Sequence, residues 1–305
     1  AHDRPSYHNE GMIDAGGKVV SPRARAVQYG AVMSISPNTS GNPPLADLLP
    51  GTVWLVGAGP GDPGLLTLLA ARALAQADAV VYDALVDPRI LSLTRTGAEM
   101  IFAGKRGGRP SAAQADISAE LVALARRGLR VARLKGGDPC LFGRGGEEAM
   151  ELARAGIAFR IVPGVTAGIG GLAYAGIPAT HRDANTAITF IAGHTTQGDV
   201  PGNLDWEALA RGSPALVFYM GLGHIGKIAT ALMAAGRDKN EPVAVIARAT
   251  TPDQTVLVTT LANAAADVAR ARPRTPALIV VGGVVRFRDE LAWFEKIAAA
   301  AGEAS

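Results

Sequence analysis

The sequence has few of the residues that build disulfides and metal centres. Cys140 is its single cysteine, which excludes an intramolecular disulfide and a cluster of thiolate ligands. Its five histidines show none of the short spacings that are typical of metal ligands. We therefore predict that the protein binds no metal, and the low cysteine content favours the reducing cytoplasm as its location.

Aromatic residues and long apolar runs are also scarce. Aromatic side chains make up 5% of the 305 residues, and no apolar run approaches the roughly 20 residues that a membrane-spanning helix needs. The formal net charge is +3, and basic residues are not interleaved with aromatic ones. These features argue against a membrane partner and against a nucleic-acid partner.

Glycine and aliphatic residues are abundant, and they form short apolar runs that alternate with helical patterns. Such alternation predicts βαβ units and largely parallel sheets. The expected strands lie near Val53–Gly57, Ala79–Asp83, Ala98–Ala103, Arg130–Lys135, Phe159–Val162, Ala187–Ala192, Ala215–Met220, Val243–Ala247, Thr255–Thr260 and Ala277–Val281. The predicted fold class is α/β, with two α/β domains, each a mostly parallel sheet flanked by helices, and a cleft between them.

The same pattern predicts how the chain is divided. Residues 1–50 are rich in Pro, Ser, Asn and Gly and lack periodicity, so we expect a disordered extension. Residues 51–179 form the predicted N-terminal domain and residues 180–297 the predicted C-terminal domain. Residues 298–305 are left as a tail.

The most distinctive motif is the turn from Gly57 to Gly64, after the first predicted strand. Part of it matches the G-x-G-x-x-G pattern of dinucleotide-binding loops, and Asp83 follows the next strand, where a ribose-binding carboxylate would lie. However, Pro60 and Pro63 have no N–H group to donate to a pyrophosphate. A donor-poor loop favours a neutral or positively charged ligand, so a nicotinamide-dependent oxidoreductase is the alternative from another class.

Glycine-rich or charged loops follow every predicted strand of the first domain. Besides the turn after the first strand, they are Tyr82-Asp83, Gly104–Gly108, Lys135–Pro139 with Phe142–Glu148, and Pro163–Ala167. Because the carboxyl ends of parallel strands meet at one edge of a sheet, we expect these loops to form the cleft there.

A series of short motifs occurs in order along the chain: GAGPGDPGLLTL, VVYD, FAGKRGG, RLKGGDP, FGRGGEE, VPGVTAGIGGLAYAGIP and THRD. Their order and spacing closely resemble the uroporphyrinogen-III C-methyltransferases of the tetrapyrrole methylase superfamily. The resemblance runs from about Gly51 to Phe294, and FGRGGEE together with THRD is its most specific part. It implies the two-domain tetrapyrrole methylase fold.

The resemblance also implies a reaction. Two methyl groups would pass in succession from S-adenosylmethionine to ring carbons of uroporphyrinogen III, giving precorrin-2 by way of precorrin-1 for cobalamin, sirohaem or related cofactors. The methyl donor is a sulfonium, which suits a donor-poor loop, and the acceptor carries carboxylates, which arginines bind bidentately. A homodimer is implied as well, and a related corrin-ring methylase is the alternative among enzymes.

Site residues carry over from the resemblance position by position. Those implied to contact S-adenosylmethionine are Pro60, Gly136, Gly137, Asp138, Leu141, Thr166, Ala167, Met220, Ala249 and Ala277. Those implied to serve acid–base chemistry or the tetrapyrrole pocket are Asp83, Lys105, Arg144, Glu147 and Arg182.

Individual roles follow from the same resemblance. Asp83 is expected to accept a proton and Lys105 to donate one, while the other three line the tetrapyrrole pocket. A guanidinium group stays protonated, so we expect Arg144 to orient the substrate, held by Glu147 in a buried charge pair. Which residue removes the substrate proton stays open.

Overall fold

The computed structural model describes residues 45–104, 114–194 and 199–297. Within these ranges ten strands form two five-stranded sheets, one in each predicted domain, which confirms the α/β class. Both sheets belong to one compact unit that begins at Leu45. Lys105, most of the predicted extension and the predicted tail lie outside the described residues.

The first sheet is wholly parallel. Its strands are β1 (Val53–Gly57), β2 (Ala79–Tyr82), β3 (Glu99–Phe102), β4 (Val131–Lys135) and β5 (Phe159–Val162), in the order β3-β2-β4-β1-β5. The helices between them along the chain are α1 (Leu68–Gln76), α2 (Pro88–Leu91), α3 (Gln114–Arg126) and α4 (Gly145–Arg154). Because all five strands run the same way, the loops that follow them gather at one edge, as predicted.

Strand β4 is buried on both faces, as expected in a parallel sheet covered by helices. Ala132 and Leu134 pack in an apolar cluster with α1, whereas Val131 packs in a second cluster with α3 and α4. Side chains alternate along a strand, so Arg133 and Lys135 lie on the same face as Val131. Two charged side chains are therefore directed toward the helical layer of α3 and α4.

The second sheet is mixed. Its strands are β6 (Thr189–Ala192), β7 (Ala215–Tyr219), β8 (Pro242–Ala247), β9 (Thr255–Thr260) and β10 (Ala277–Gly282), in the order β6-β7-β10-β8-β9. The remaining helices are α5 (Ala167–Tyr174), α6 (Trp206–Gly212), α7 (Ile225–Ala234), α8 (Ala264–Ala271) and α9 (Arg288–Leu291).

Strand direction in this second sheet corrects the expectation that it is mostly parallel. Strands β6 and β7 are parallel, but β7 with β10, β10 with β8, and β8 with β9 are antiparallel. Residues 248–254, which join β8 to β9, contain no helix and are too few for a parallel crossover, which takes a dozen or more residues. The α/β class itself holds, because helices still alternate with most of these strands.

Helix α5 connects the two halves of the chain. Its Leu172 is fully buried in a cluster with Val217 of β7 and Ile246 of β8. The helix falls within the predicted N-terminal domain, yet these apolar contacts are with the second sheet. It therefore packs on the second sheet, although it follows the last strand of the first sheet along the chain.

Residues 45–50 belong to the folded unit. Leu48 is 2% exposed and packs in the cluster that contains Trp54 and Leu74. Its N–H group donates to Gln76 Oε1 at 2.8 Å. The predicted boundary after residue 50 is therefore wrong for residues 45–50, whereas residues 1–44 lie outside the described part of the chain.

Candidate functional site

Loops from both sheets enclose a cavity of about 330 Å³. Its walls include every position implied to contact S-adenosylmethionine, namely Pro60, Gly136, Gly137, Asp138, Leu141, Thr166, Ala167, Met220, Ala249 and Ala277. Asp83 and Arg144 line the same cavity. Residues that are far apart in the sequence are thus brought together at the carboxyl edge of the first sheet.

The loop after β1 uses backbone donors within the protein. The Gly59 N–H donates to the Gly137 carbonyl at 3.1 Å, and the Asp62 N–H donates to Thr250 Oγ1 at 3.0 Å. The two prolines of this loop supply no donor at all. The loop therefore lacks the set of convergent N–H groups that a pyrophosphate needs, which supports the sequence argument against a dinucleotide.

Asp62 ties this loop to α5 and to the second sheet. Besides the bond from its N–H to Thr250, its Oδ2 accepts a hydrogen bond from Tyr174 Oη at 2.7 Å. Burial, followed by the hydrogen bond to Asp62, raises the pKa of Tyr174 to about 12. The phenol therefore remains a donor at neutral pH, and the loop is held from two sides.

Asp138 closes the loop after β4. Its Oδ1 accepts the N–H of Cys140 at 2.8 Å, and its Oδ2 accepts the N–H of Gly164 at 3.0 Å. Gly137 pairs with Gly59 through two backbone hydrogen bonds of 3.1 and 2.8 Å. Both Asp138 oxygens are therefore bound to backbone donors, and the carboxylate joins the loops after β4 and β5, while the Gly59–Gly137 pair joins the loop after β1 to them.

Tyr219 was missed by the sequence reasoning, although it directly precedes Met220, which the resemblance implied as a contact of the methyl donor. Its hydroxyl lies 2.7 Å from Thr166 Oγ1 and accepts the N–H of Gly168 at 2.6 Å. A Cβ atom at Gly168 would lie 2.3 Å from that hydroxyl, so the contact requires glycine. The ring of Phe142 lies 4.9 Å from the Tyr219 ring, and together they form one wall of the cavity.

Asp83 and Arg144 carry the ionisable groups of the predicted substrate chemistry that reach the cavity. Asp83 Oδ1 accepts the N–H of Leu85 at 3.1 Å. Arg144 Nε lies 3.1 and 3.0 Å from the two carboxylate oxygens of Glu147, so the predicted pairing is confirmed. The two side chains are 54% and 56% exposed, however, so the expectation of a buried pair is wrong. The hydrogen bonds raise the pKa of Arg144 and lower the pKa of Glu147.

Three predicted residues do not line this cavity. Glu147 faces a groove of about 800 Å³ between α3 and α4, which Arg144 also borders. Arg182 is exposed in the segment after α5. Lys105 lies outside the described residues.

A buried charge cluster beside the cavity was not predicted. Arg133 and Lys135 line the cavity wall, and Glu148 of α4 contacts both of them. Arg133 and Lys135 are two positions apart, so they lie on the same face of a strand that is predicted to be buried. This pattern is a sequence signal for such a cluster, because buried charges need partners. That signal does not identify the partner, which comes from a helix.

Metal ligands and membrane spans were not found in the described part of the chain. No group of three or more His, Cys, Asp or Glu side chains there could hold a metal ion. No helix there is long and apolar enough to cross a membrane.

Comparison with known proteins gives consistent matches. The family model of the tetrapyrrole (corrin/porphyrin) methylases matches residues 52–265. A uroporphyrinogen-III C-methyltransferase from a Sinorhizobium species is 61% identical over 243 residues, which cover 80% of this chain and 87% of that protein. A crystal structure of the Thermus thermophilus uroporphyrin-III C-methyl transferase, complexed with S-adenyl homocysteine, superposes with a TM-score of 0.67 at 41% identity, covering 77% of this chain and 99% of that one.

A longer relative matches over part of its length. Siroheme synthase 1 of Yersinia enterocolitica is 54% identical over 245 residues, which cover 80% of this chain and 51% of that protein. The chain thus spans about half the length of that relative.

Proposed function

The chain belongs to the tetrapyrrole (corrin/porphyrin) methylases, and from this premise we propose that it is a uroporphyrinogen-III C-methyltransferase. It transfers methyl groups from S-adenosylmethionine to two ring carbons of uroporphyrinogen III in succession, giving precorrin-2 by way of precorrin-1. The product serves cobalamin or sirohaem biosynthesis. The 61% identity to the Sinorhizobium enzyme of that name supports this substrate.

The observation that carries the proposal is the shared cavity. Loops from two sheets converge on it, and every implied donor-binding position lies in its wall together with Asp83 and Arg144. A loop poor in N–H donors on one side and apolar side chains such as Ala277 and Leu278 on the other suit an amphipathic cation. A dinucleotide finds no comparable set of N–H donors in the loop after β1.

The cavity fits S-adenosylmethionine in size and chemistry. Its volume of about 330 Å³ falls in the range of roughly 300–1,000 Å³ that is usual for small-molecule pockets. When bound, the donor supplies an electrophilic methyl group on a sulfonium. The loops after β1, β4 and β5 are tied to one another, so they hold a fixed shape in which donor and acceptor can be aligned for an in-line displacement.

The protein's own residues then bind the acceptor and take up its proton. The guanidinium of Arg144 suits a carboxylate of the tetrapyrrole, and Glu147 and Arg182 extend this binding beyond the cavity. The Asp83 carboxylate, at the cavity wall, accepts the proton that the ring loses after methylation, and Lys105 is the proton donor that the resemblance implies. These roles rest on the family resemblance and on the position of Asp83 and Arg144.

Two finer assignments complete the proposal. The protein acts in the cytoplasm, which is consistent with a single cysteine. It acts as a homodimer, as the resemblance implies. Size-exclusion chromatography with light scattering tests the second assignment directly.

The decisive experiment is anaerobic incubation with uroporphyrinogen III and S-adenosylmethionine, followed by mass spectrometry. We expect products with one and then two added methyl groups and the absorbance change of precorrin-2. Thermal unfolding provides a second test, because S-adenosylhomocysteine should raise the melting temperature and NAD should not. Stabilisation without methylation of uroporphyrinogen III would point to a corrin-ring methylase, and stabilisation by NAD would overturn the assignment.

A further inference from the structure

Three charged side chains are buried beside the cavity, and none of them is among the implied site residues. Arg133 and Lys135 on β4 are 3% and 4% exposed, and Glu148 on α4 is fully buried. Burying charges is costly, and a cluster that serves packing alone is often replaced by apolar residues without loss of stability. Its position in the wall of the cavity suggests a further role.

The cluster is connected to Asp83 through Arg133. Glu148 Oε1 accepts hydrogen bonds from Arg133 Nε at 3.1 Å and from Lys135 Nζ at 3.0 Å. The other side of the guanidinium bonds backbone, with Nη1 donating to the carbonyls of Val81 and Leu134. Arg133 Nη2 lies 3.7 Å from Asp83 Oδ2. Arg133 thus connects Glu148 to the Asp83 carboxylate at the cavity wall.

The charges of the cluster depend on Glu148. Burial, followed by repulsion from Arg133, lowers the pKa of Lys135, whereas Glu148 acts in the opposite direction and favours the ammonium form. The carboxylate therefore allows two cations to lie side by side. Without it, their combined field would act on Asp83 uncompensated.

We propose that Glu148 is a positioning residue of this site, which holds Arg133 and Lys135 together and so fixes the place and the charge balance of the Asp83 carboxylate. The inference rests on the proposed function, in which Asp83 accepts the ring proton. In that step the ring C–H bond breaks, its electron pair remains in the ring as part of a double bond, and the proton moves to an Asp83 oxygen.

The groups that surround Lys135 define what a test has to consider. Arg133 lies on its own strand, Glu147 and Glu148 on α4, and Asp83 at the end of β2. Burial raises the pKa of the Cys140 thiol, in the loop after β4, and the positive charge of Lys135 acts on it in the opposite direction. On α3, the charged side chains of Asp116 and Glu120 are exposed.

A cycle of charge changes tests the proposal by single-turnover methylation at saturating S-adenosylmethionine across a range of pH. Acid favours the ammonium form of Lys135, so at the acid limb of the pH–rate profile Glu148→Gln leaves one surplus positive charge, which favours ionised Asp83 and should move that limb to lower pH. Lys135→Met removes a positive charge and should move that limb to higher pH. Each shift should be about half a unit to one unit. The double variant restores the charge balance and should return the limb toward its wild-type position.

Glu151→Gln is the matched control, because it removes the same charge from an exposed position on the same helix, and it should leave the profile unchanged. Shifts of Glu148→Gln and Lys135→Met in the same direction would overturn the proposal, as would a Glu148→Gln profile identical to the control. Complete loss of turnover in Lys135→Met alone would also overturn it, since Lys135 would then carry the proton itself. The double variant removes one charge of each sign, so it keeps the test valid if a single variant folds poorly.

A direct measurement separates this inference from the proposed function. The carboxyl titration of Asp83 can be followed by ¹³C NMR in the full chain with S-adenosylhomocysteine, with assignment through Asp83→Asn. Opposite movements of the titration midpoint in the two single variants would support the network even if uroporphyrinogen III is not methylated. Unchanged midpoints in an enzyme that does methylate uroporphyrinogen III would overturn the network and leave the function intact.

Discussion

Arg144, the residue directly before α4, lies in the left-handed region of backbone space, with φ of 59°, where residues other than glycine rarely lie. Phe142 and Met220 share this conformation, with φ of 54° and 57°, and all three line the cavity. Arg248 and Thr250, on either side of a cavity residue, share it as well. Such a conformation costs roughly 1–2 kcal/mol per residue. Its concentration around one cavity is typical of a binding site whose surroundings enforce the geometry.

The first prediction concerns Arg144. Because its pair with Glu147 is half exposed, the pair itself contributes only about 0.2–1 kcal/mol, and Arg144→Ala should leave the melting temperature nearly unchanged. Loss of a charged hydrogen bond to substrate costs roughly 1.5–3 kcal/mol, so single-turnover methylation should fall about 10- to 100-fold. Arg144→Lys should recover little, since it keeps the charge without the planar fork.

Affinity for S-adenosylhomocysteine, measured by calorimetry, should stay at the wild-type value. A wild-type rate in Arg144→Ala would make Arg182 the better candidate.

The second prediction concerns Asp138, whose two oxygens hold the loops after β4 and β5 together. Asp138→Ala leaves two backbone donors without acceptors, so we expect a loss of about 1–3 kcal/mol in both the free energy of unfolding and the binding of S-adenosylhomocysteine. Asp138→Asn keeps one acceptor and should lie between Ala and wild type. Urea unfolding and calorimetry measure the two quantities. Unchanged affinity in Asp138→Ala would show that these loops do not shape the donor site.

The positions that the family resemblance implies for the methyl donor all line the cavity, and most of them lie in motifs that directly follow a strand. The sequence did not predict the Arg133–Glu148 contact, because a strand and a later helix supply the two charges and no local pattern pairs them. It did not predict that Arg144 and Glu147 are half exposed either, because their spacing along α4 specifies mutual contact but says nothing about what covers them.

At the level of elements, apolar runs predict the positions of strands well but predict the directions of strands less well. The prediction matches β1, β5 and β9 residue for residue. The direction of a strand depends on which strands it pairs with. Residues 248–254 show why the direction of β9 was predicted wrongly. The helices before β8 and after β9 gave the sequence an apparent βαβ alternation, although β8 and β9 have no helix between them. Helix α6 (Trp206–Gly212) is too short to show a clear apolar period in the sequence.

The third prediction concerns the link between α5 and the loop after β1. The pKa of Tyr174 is raised to about 12, so the folded state holds this proton more tightly than the unfolded chain, where tyrosine titrates near ~10. Its contribution to stability is therefore complete below about pH 10 and is lost as pH rises through about 12. Tyr174→Phe should lower the free energy of unfolding by about 0.5–1.5 kcal/mol at neutral pH, and the difference from wild type should shrink above pH ~10.

Tyr82→Phe is the control for this measurement, because the Tyr82 ring packs on Phe102 and its hydroxyl makes no hydrogen bond to the described residues. Its effect on urea unfolding should be small and should not change with pH between neutral and alkaline conditions. Equal pH dependence in the two variants would contradict the assigned role of Tyr174.

At the scale of the whole molecule, the two sheets have different architectures and are joined by a helix that fits closely against both. A Cβ atom at Gly170 of α5 would lie 2.9 Å from Pro60 Cγ, and one at Gly171 would lie 2.8 Å from Ala249 Cβ. The helix can therefore lie between the loop after β1 and the second sheet only because it presents glycine on both sides. This close fit brings residues from both halves of the chain into the wall of one cavity.

The last prediction concerns the start of the folded unit. A chain that begins at Leu45 should keep full methylation activity and wild-type stability, because the described contacts before β1 start with residues 45–50. A chain that begins at Gly51 exposes the surface that Leu48 covers, so its free energy of unfolding should fall by at least about 1.5–3 kcal/mol. Leu48→Ala in the full chain is the matched comparison and should lose about 2–5 kcal/mol by the same mechanism.

Urea unfolding and single-turnover methylation measure the outcomes. Loss of activity in the chain that begins at Leu45 would assign a role to residues 1–44, and wild-type stability in the chain that begins at Gly51 would contradict the contribution of Leu48.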